Sequence, residues 1–378
     1  RPARPSPPPL PAEQRAVGGE ALATPGLAIP PGAPSPPGAK LSAKSWVVAD
    51  LDTGAVLGAC GAHEYGIPAS VQKLLLAATM MPRLDANQVV QVTAEDMNFE
   101  PGSSAVGLVQ GGRYPVSTLW LGLFMVSGND AANVLARVGG GTGKVAGGVA
   151  AMNAEAKRLG AFQTHATTPS GLDGPGQFTS AYDLALIARA CFAREDFRRY
   201  ITTERTQIPP QQPNINGFQI QNDNQLLYRY PGVLGGKTGY THLARHSFVG
   251  AAQRNGRRLV VTLLGAEAQP GRGWQQAAAL LDWGFGLPPD AQVGHLVTPE
   301  EVAAQPAPAA TVTRSAADAV SKGLGQSAGG SVPMPVPVAV GVLATVAGTG
   351  VLVAVGLLVR RRRRAGRRRR SNALRPVG

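Results

Sequence analysis

Two short apolar runs, Trp46–Leu51 and Ala55–Cys60, are separated by Asp52-Thr53-Gly54, a pattern that predicts a β-hairpin. From Ser70 to about Met81 the apolar positions fit a helix, and Pro82 sets its end. Residues 116–126 and 129–138 predict two short helices around the break Ser127-Gly128-Asn129, and another covers about 180–193. Arg245–Gln253 and Arg258–Gly265 alternate like paired strands joined by Arg254-Asn255-Gly256-Arg257, and a last helix runs from Trp274 to Phe285. Strands at both ends with helices between them predict an α+β domain whose sheet brings the two ends together. No internal repeat is visible.

The pattern breaks down on either side of this domain, which is expected to span residues 42–290. Residues 1–40 hold twelve prolines, several in runs, and residues 1–41 are therefore expected to form a disordered, solvated stalk. The chain opens on Arg1 without an apolar leader, as it would after removal of an export signal or in a fragment. Residues 291–337 read as an Ala/Pro-rich linker. Val338–Val359 then runs for twenty-two residues without a charge, about 33 Å as a helix and enough to cross a bilayer. A buried core helix is the alternative, but nine arginines follow almost at once, and such a flank marks the cytoplasmic side of a spanning helix. The expectation is a single-pass cell-membrane protein with residues 1–337 outside and an Arg-rich tail, 360–378, inside. That tail suits a stop-transfer anchor, although anionic lipid or an intracellular partner would also suit it.

The formal charge of +13 suggests nucleic acid only until it is mapped. The ten arginines of 360–378 and a surplus of two over residues 1–40 leave +1 for residues 41–359. A nearly neutral domain does not support nucleic-acid binding. Cys60 and Cys191 cannot make a disulfide framework. One bridge between them is possible outside the cytoplasm; two buried thiols are the plainer reading.

Candidate chemistry lies in three short elements. Ser70-Val71-Gln72-Lys73 opens a helix, and the i to i+3 spacing puts Ser70 and Lys73 on one face. A lysine so held takes the serine proton if burial or a neighbouring cation lowers its proton affinity, and the helix N-terminus offers spare N–H groups to an oxyanion. Ser127-Gly128-Asn129 supplies a hydroxyl to pass a proton and an amide to hold a peptide group. In Gly235-Gly236-Lys237-Thr238-Gly239 the glycines let a substrate backbone lie against the strand, while Lys237 and Thr238 offer a charge and a hydroxyl to a carboxylate. Singly these are a helix cap, a turn and a hairpin. Together and in this order they are the set shared by penicillin-binding proteins and serine β-lactamases.

With Ala49–Gly54, Pro68-Ala69-Ser70, Ser127–Ala132, Pro169–Gly174 and Gly236–Thr241 added, residues 45–285 resemble the low-molecular-mass penicillin-binding proteins of the D-alanyl-D-alanine carboxypeptidase family. The resemblance implies a β-lactamase/transpeptidase-like fold, a central antiparallel sheet with helices on both faces. It implies a serine carboxypeptidase that trims peptidoglycan stem peptides in cell-wall biosynthesis, needs no cofactor and is acylated by β-lactam antibiotics. Ser70 would be the nucleophile, with Lys73 or a Lys73–Ser127 relay moving the proton. The Ser70 and Tyr240 N–H groups would hold the oxyanion, Asn129 the substrate amide, and Lys237, Thr238 and Gly239 the carboxylate end. Two departures stand out. The stretch after the last helix is too polar for the second, β-rich domain of many relatives, and His242 stands where the family commonly has an acid, which leaves the far rim of the site undefined.

Other chemistries fit less well. Five histidines are present, but no Gly-x-Ser-x-Gly elbow supports a Ser/His/Asp hydrolase. No His-Glu-x-x-His or Cys/His cluster supports a zinc peptidase. A fast β-lactamase needs a water-activating glutamate in the loop at about 160–176, which has none. A wall-binding homologue without activity would have lost Ser70 or Lys73, and both are present.

Overall fold

The computed structural model describes residues 6–9, 11, 14, 16–213 and 215–304. Its frame is a seven-stranded sheet of β1 (Leu27–Ala28), β2 (Ser45–Asp50), β3 (Ala55–Cys60), β4 (Val233–Thr241), β5 (Arg245–Arg254), β6 (Arg257–Ala266) and β7 (Gly294–His295). The spatial order is β1-β3-β2-β6-β5-β4, with β7 also paired to β3, and every pairing is antiparallel. Both predicted hairpins form, the second closing at the pair Arg254↔Arg257.

The central strands are apolar without a break because helices cover both faces of the sheet. Successive residues of β2 then serve different cores, as the two-residue period of a strand requires. Val47 and Ala49 join one core, and Trp46 and Val48 join the other. The first core packs α1 (Lys73–Met80), α2 (Val116–Met125), α3 (Asn129–Gly139), α4 (Lys144–Arg158), α5 (Ala181–Ala193) and α6 (Glu195–Ile201). The second holds Leu226 of α7 (Gln225–Arg229) and Leu280 and Leu281 of α8 (Gly273–Phe285). A short α9 (Pro299–Ala304) follows β7. All eight residues of α1 are buried, Lys73 and Thr79 among them, so the helix is enclosed on every side and carries the turn that holds Ser70.

Helices α4 and α6 were not expected from the sequence. Only Gly148, Met152 and Ala156 of α4 are fully buried, a stripe too thin and too glycine-rich to give a periodic signal.

Two boundaries are corrected. Residues 16–41 are not a solvated stalk: β1 pairs with β3 through Leu27↔Cys60 and Ala28↔Ala59, Leu22 is buried, and Trp283 Nε1 donates to Pro34 O at 2.8 Å. Six of its 26 residues are prolines without an N–H, yet it docks through the short β1 ladder, a few buried apolar side chains and a carbonyl. Residues 291–304 likewise belong to the domain, since β7 pairs with β3 and Leu296 and Val297 are buried. The expected span Val338–Val359, the Arg-rich tail and most of the expected linker lie outside the described residues. No helix among the described residues is long and apolar enough to cross a membrane. Cys60 and Cys191 are both free thiols.

Candidate active site

Strand β4 ends the sheet, and the 3-10 turn Ala69–Gln72 leading into α1 packs against it. Ser70 therefore sits in a tighter turn than the expected helix start. The approach requires glycine at 239, because a Cβ there would fall 2.9 Å from the Ser70 nitrogen. Ser247 of β5 ties the turn down by donating to Pro68 O at 2.6 Å. On the other side, the segment Ser170-Gly171-Leu172 closes over the turn, with Gly171 at φ +87 against Ala69 and Gln72. Ala69 (φ +51) and Ser127 (φ +60) hold left-handed backbone, a strain of about 1–3 kcal/mol each that tertiary packing must sustain.

All eight residues expected from the sequence gather here. Ser70, Ser127, Asn129, Thr238, Gly239 and Tyr240 line a cleft of about 330 Å³, and Lys73 and Lys237 lie buried beneath it. Lys73 Nζ is 2.9 Å from Ser70 Oγ and donates to Asn129 Oδ1 at 2.8 Å and to Ser170 O at 2.9 Å. Lys237 Nζ donates to Ser127 Oγ at 3.0 Å and to Thr238 O at 2.8 Å. The hydroxyls are thus divided, Ser70 facing Lys73 and Ser127 facing Lys237. A larger hollow of about 490 Å³ beside Lys44, Tyr65 and Phe178 contains none of the motif residues.

Charge follows from burial. Loss of water, and then the nearby Lys237 charge, press the Lys73 ammonium well below the ordinary lysine range, against the pull of Asp130. Burial lowers Lys237 to about 7, opposed by the Asp223 carboxylate at the cleft wall. Two buried ammonium groups this close favour a state in which one is neutral, and a neutral lysine beside a serine hydroxyl can accept its proton.

Several contributors were not singled out in the sequence. Asp130, fully buried, accepts from the backbone of Val106, Gly107 and Leu108 at 2.9–3.0 Å and so fixes the loop carrying Ser103, whose Oγ accepts from Asn129 Nδ2. Ser170 contributes a backbone carbonyl and Asp223 a carboxylate. Asp130 and Ser170 sit inside quoted motif strings, yet their partners are more than twenty residues away in sequence. The rim left undefined by His242 is organised otherwise: Thr241 Oγ1 donates to Asp173 Oδ1 at 2.7 Å, and His242 is exposed against the Tyr240 ring.

Comparison with known proteins is consistent with this geometry. The sequence profile of the D-alanyl-D-alanine carboxypeptidase family matches residues 31–268. The chain is 48% identical over 259 residues to D-alanyl-D-alanine carboxypeptidase DacB2 of Mycobacterium tuberculosis, covering 67% of this chain and 86% of that protein. It is 35% identical to DacD of Escherichia coli over 268 residues, spanning 65% of that longer protein. Among solved structures, a D-alanyl-D-alanine carboxypeptidase from Mycobacterium tuberculosis superposes with a TM-score of 0.66 at 44% identity, covering 71% of this chain and 99% of that one. The Streptomyces K15 DD-transpeptidase superposes with a TM-score of 0.62 at 25% identity, covering 68% and 99%.

Proposed function

The chain belongs to the D-alanyl-D-alanine carboxypeptidase family and is a serine-type enzyme of it, and from that premise we propose that it removes the terminal D-alanine of peptidoglycan stem peptides through an acyl-enzyme on Ser70. The observation that carries the assignment of roles is the 2.9 Å approach of Nζ of the fully buried Lys73 to Oγ of Ser70 at the cleft floor. Neutral Lys73 takes the hydroxyl proton as Ser70 Oγ attacks the penultimate carbonyl. The oxyanion forms against the Ser70 and Tyr240 N–H groups. The tetrahedral intermediate collapses, the leaving D-alanine amine takes up the proton, and water then hydrolyses the Ser70 ester and regenerates the hydroxyl. Lys237 and Thr238 receive the terminal carboxylate. Asn129 turns from Lys73 and Ser103 toward the substrate amide. No cofactor takes part.

A β-lactam presents a strained amide and a carboxylate in the same arrangement, so Ser70 opens it. No glutamate lies in residues 160–176 to activate water, and the carbonyl of Ser170 is already engaged by Lys73. Unlike the released D-alanine, the opened ring also stays tethered in the cleft and obstructs water, so the adduct persists. Incubation with benzylpenicillin should add one penicillin mass to the Ser70 peptide, Ser70→Ala should abolish it, and D-alanine release from a pentapeptide should stop at the same stoichiometry. Fast penicillin turnover without an adduct would establish a β-lactamase instead.

The uncharged run Val338–Val359 and the arginines after it support a membrane-anchored enzyme with its domain outside the cell. Protease added to intact cells should remove the domain and spare the Arg-rich tail. The opposite pattern would reverse the orientation.

A further inference from the structure

Tyr240 is 47% exposed and lines the cleft together with Thr238. The two residues share one side of β4 and stand about 7 Å apart along it. If the substrate carboxylate lies at Thr238, as proposed above, the Tyr240 ring flanks the residue preceding D-Ala-D-Ala. Neighbouring side chains hold this ring, His246 lining the cleft beside it. His246, its cross-strand partner, packs against it at 4.8 Å between centroids. Arg245 Nη1 donates to the Tyr240 hydroxyl at 3.3 Å, and its guanidinium lies 5.7 Å from the ring centroid.

Arg245 is itself fixed. It grips Glu267 with two nitrogens, Nε to Oε1 at 3.0 Å and Nη2 to Oε2 at 2.6 Å. The Glu267 backbone is anchored in turn, its N–H donating to Ser42 Oγ at 3.0 Å and its carbonyl accepting from the fully buried Gln276 at 3.0 Å. Arg245 also holds a left-handed φ of +61 at the first position of β5, where a side chain is costly unless its contacts sustain it. A planar, two-pronged guanidinium suits one carboxylate below and an aromatic face above.

We infer that Arg245, locked by Glu267, is a positioning residue that sets the Tyr240 ring as the specificity wall for the side chain preceding D-Ala-D-Ala in the acyl donor. The inference rests on the acyl-enzyme reading, and the test separates the two. Benzylpenicillin carries an acyl side chain where that residue would lie, whereas 6-aminopenicillanic acid lacks it. Acylation of Ser70 in the full chain is followed with both probes for wild type, Arg245→Gly, Glu267→Gln, Tyr240→Ala and the double variant Arg245→Gly/Tyr240→Ala. Glycine accepts the left-handed backbone, and Glu267→Gln disturbs the latch without touching that backbone.

Arg245→Gly and Glu267→Gln should each slow benzylpenicillin acylation by about three- to tenfold and change the smaller probe by less than about twofold. Arg245→Gly should add nothing in the Tyr240→Ala background. For a pentapeptide the loss should fall on KM, with kcat nearly unchanged. Equal slowing with both probes, no slowing with either, or a full Arg245→Gly effect in the absence of the ring would each overturn the positioning role while leaving the acyl-enzyme intact. A wild-type protein acylated by neither probe would overturn both.

Discussion

Lys73 and Lys237 are the residues whose environment does most to alter their chemistry. Burial, and then the Lys237 charge, press Lys73 well below the ordinary lysine range, so its neutral form is easier to reach than that of an exposed lysine. Lys73→Ala should slow acylation by on the order of 10²–10⁴ with the circular dichroism spectrum intact. Lys73→Arg should be nearly as damaging, since a guanidinium keeps its proton. Lys237 shows the same physics in stability. Its proton affinity is about 7 in the folded state against an ordinary value of 10.5. Between those values the unfolded chain binds a proton that the folded chain does not, so this group's contribution rises with pH across the window and is least favourable below it. Lys237→Met should flatten that rise and raise the melting temperature at pH 6, by roughly 2–4 °C for each kcal/mol relieved. Both lysines were legible in the sequence because motif spacing fixes them. The Ser70–Lys73 pair was legible too, from the i to i+3 spacing; the Ser127–Lys237 contact was not, because it joins residues far apart in sequence that meet only once β4 packs beneath the cleft.

At the level of elements, the site depends on loops pinned by buried carboxylates. Asp130, at the start of α3, gathers three consecutive N–H groups from residues 106–108 and its own neighbour's N–H at Ala131. Asp130→Ala leaves those donors buried without partners, which should cost on the order of 3–5 kcal/mol in urea unfolding and speed amide exchange across residues 101–109. At the other end of the scale, Ser180 caps α5 by accepting from Asp183 N at 3.1 Å, and Ser180→Ala should cost about 1 kcal/mol by the same measurement. The long apolar helices and the β5–β6 hairpin could be read in advance because their patterns are strong and local. Helix α4 could not, since it docks on α3 through glycines such as Gly148, whose added Cβ would meet the Ala136 carbonyl, and small residues leave no hydrophobic signature.

Across the whole molecule, both ends of the described chain converge on one strand. β1 and β7 both pair with β3, and His295 N donates to Gly18 O at 2.8 Å. Proline content suggested a stalk because composition reports what a segment cannot do alone, while the surface it docks on is formed by residues far along the chain. Deleting residues 1–41 should therefore lower the melting temperature by several degrees, through exposure of the surface that Val17, Leu22 and Ala28 cover; an independent stalk would leave it unchanged. Among the described residues the sheet thus has one border formed by its first and last strands and a second, β4, that ends the sheet along the cleft. An unpaired border is a template for an incoming strand. A stem peptide bound there would become the sheet's temporary eighth member, recognised through its main chain before any side chain is inspected. Methylating the amide nitrogen of the penultimate D-alanine, which removes one rung of that ladder without altering the scissile bond, should cut kcat/KM by about tenfold, the equivalent of one hydrogen bond.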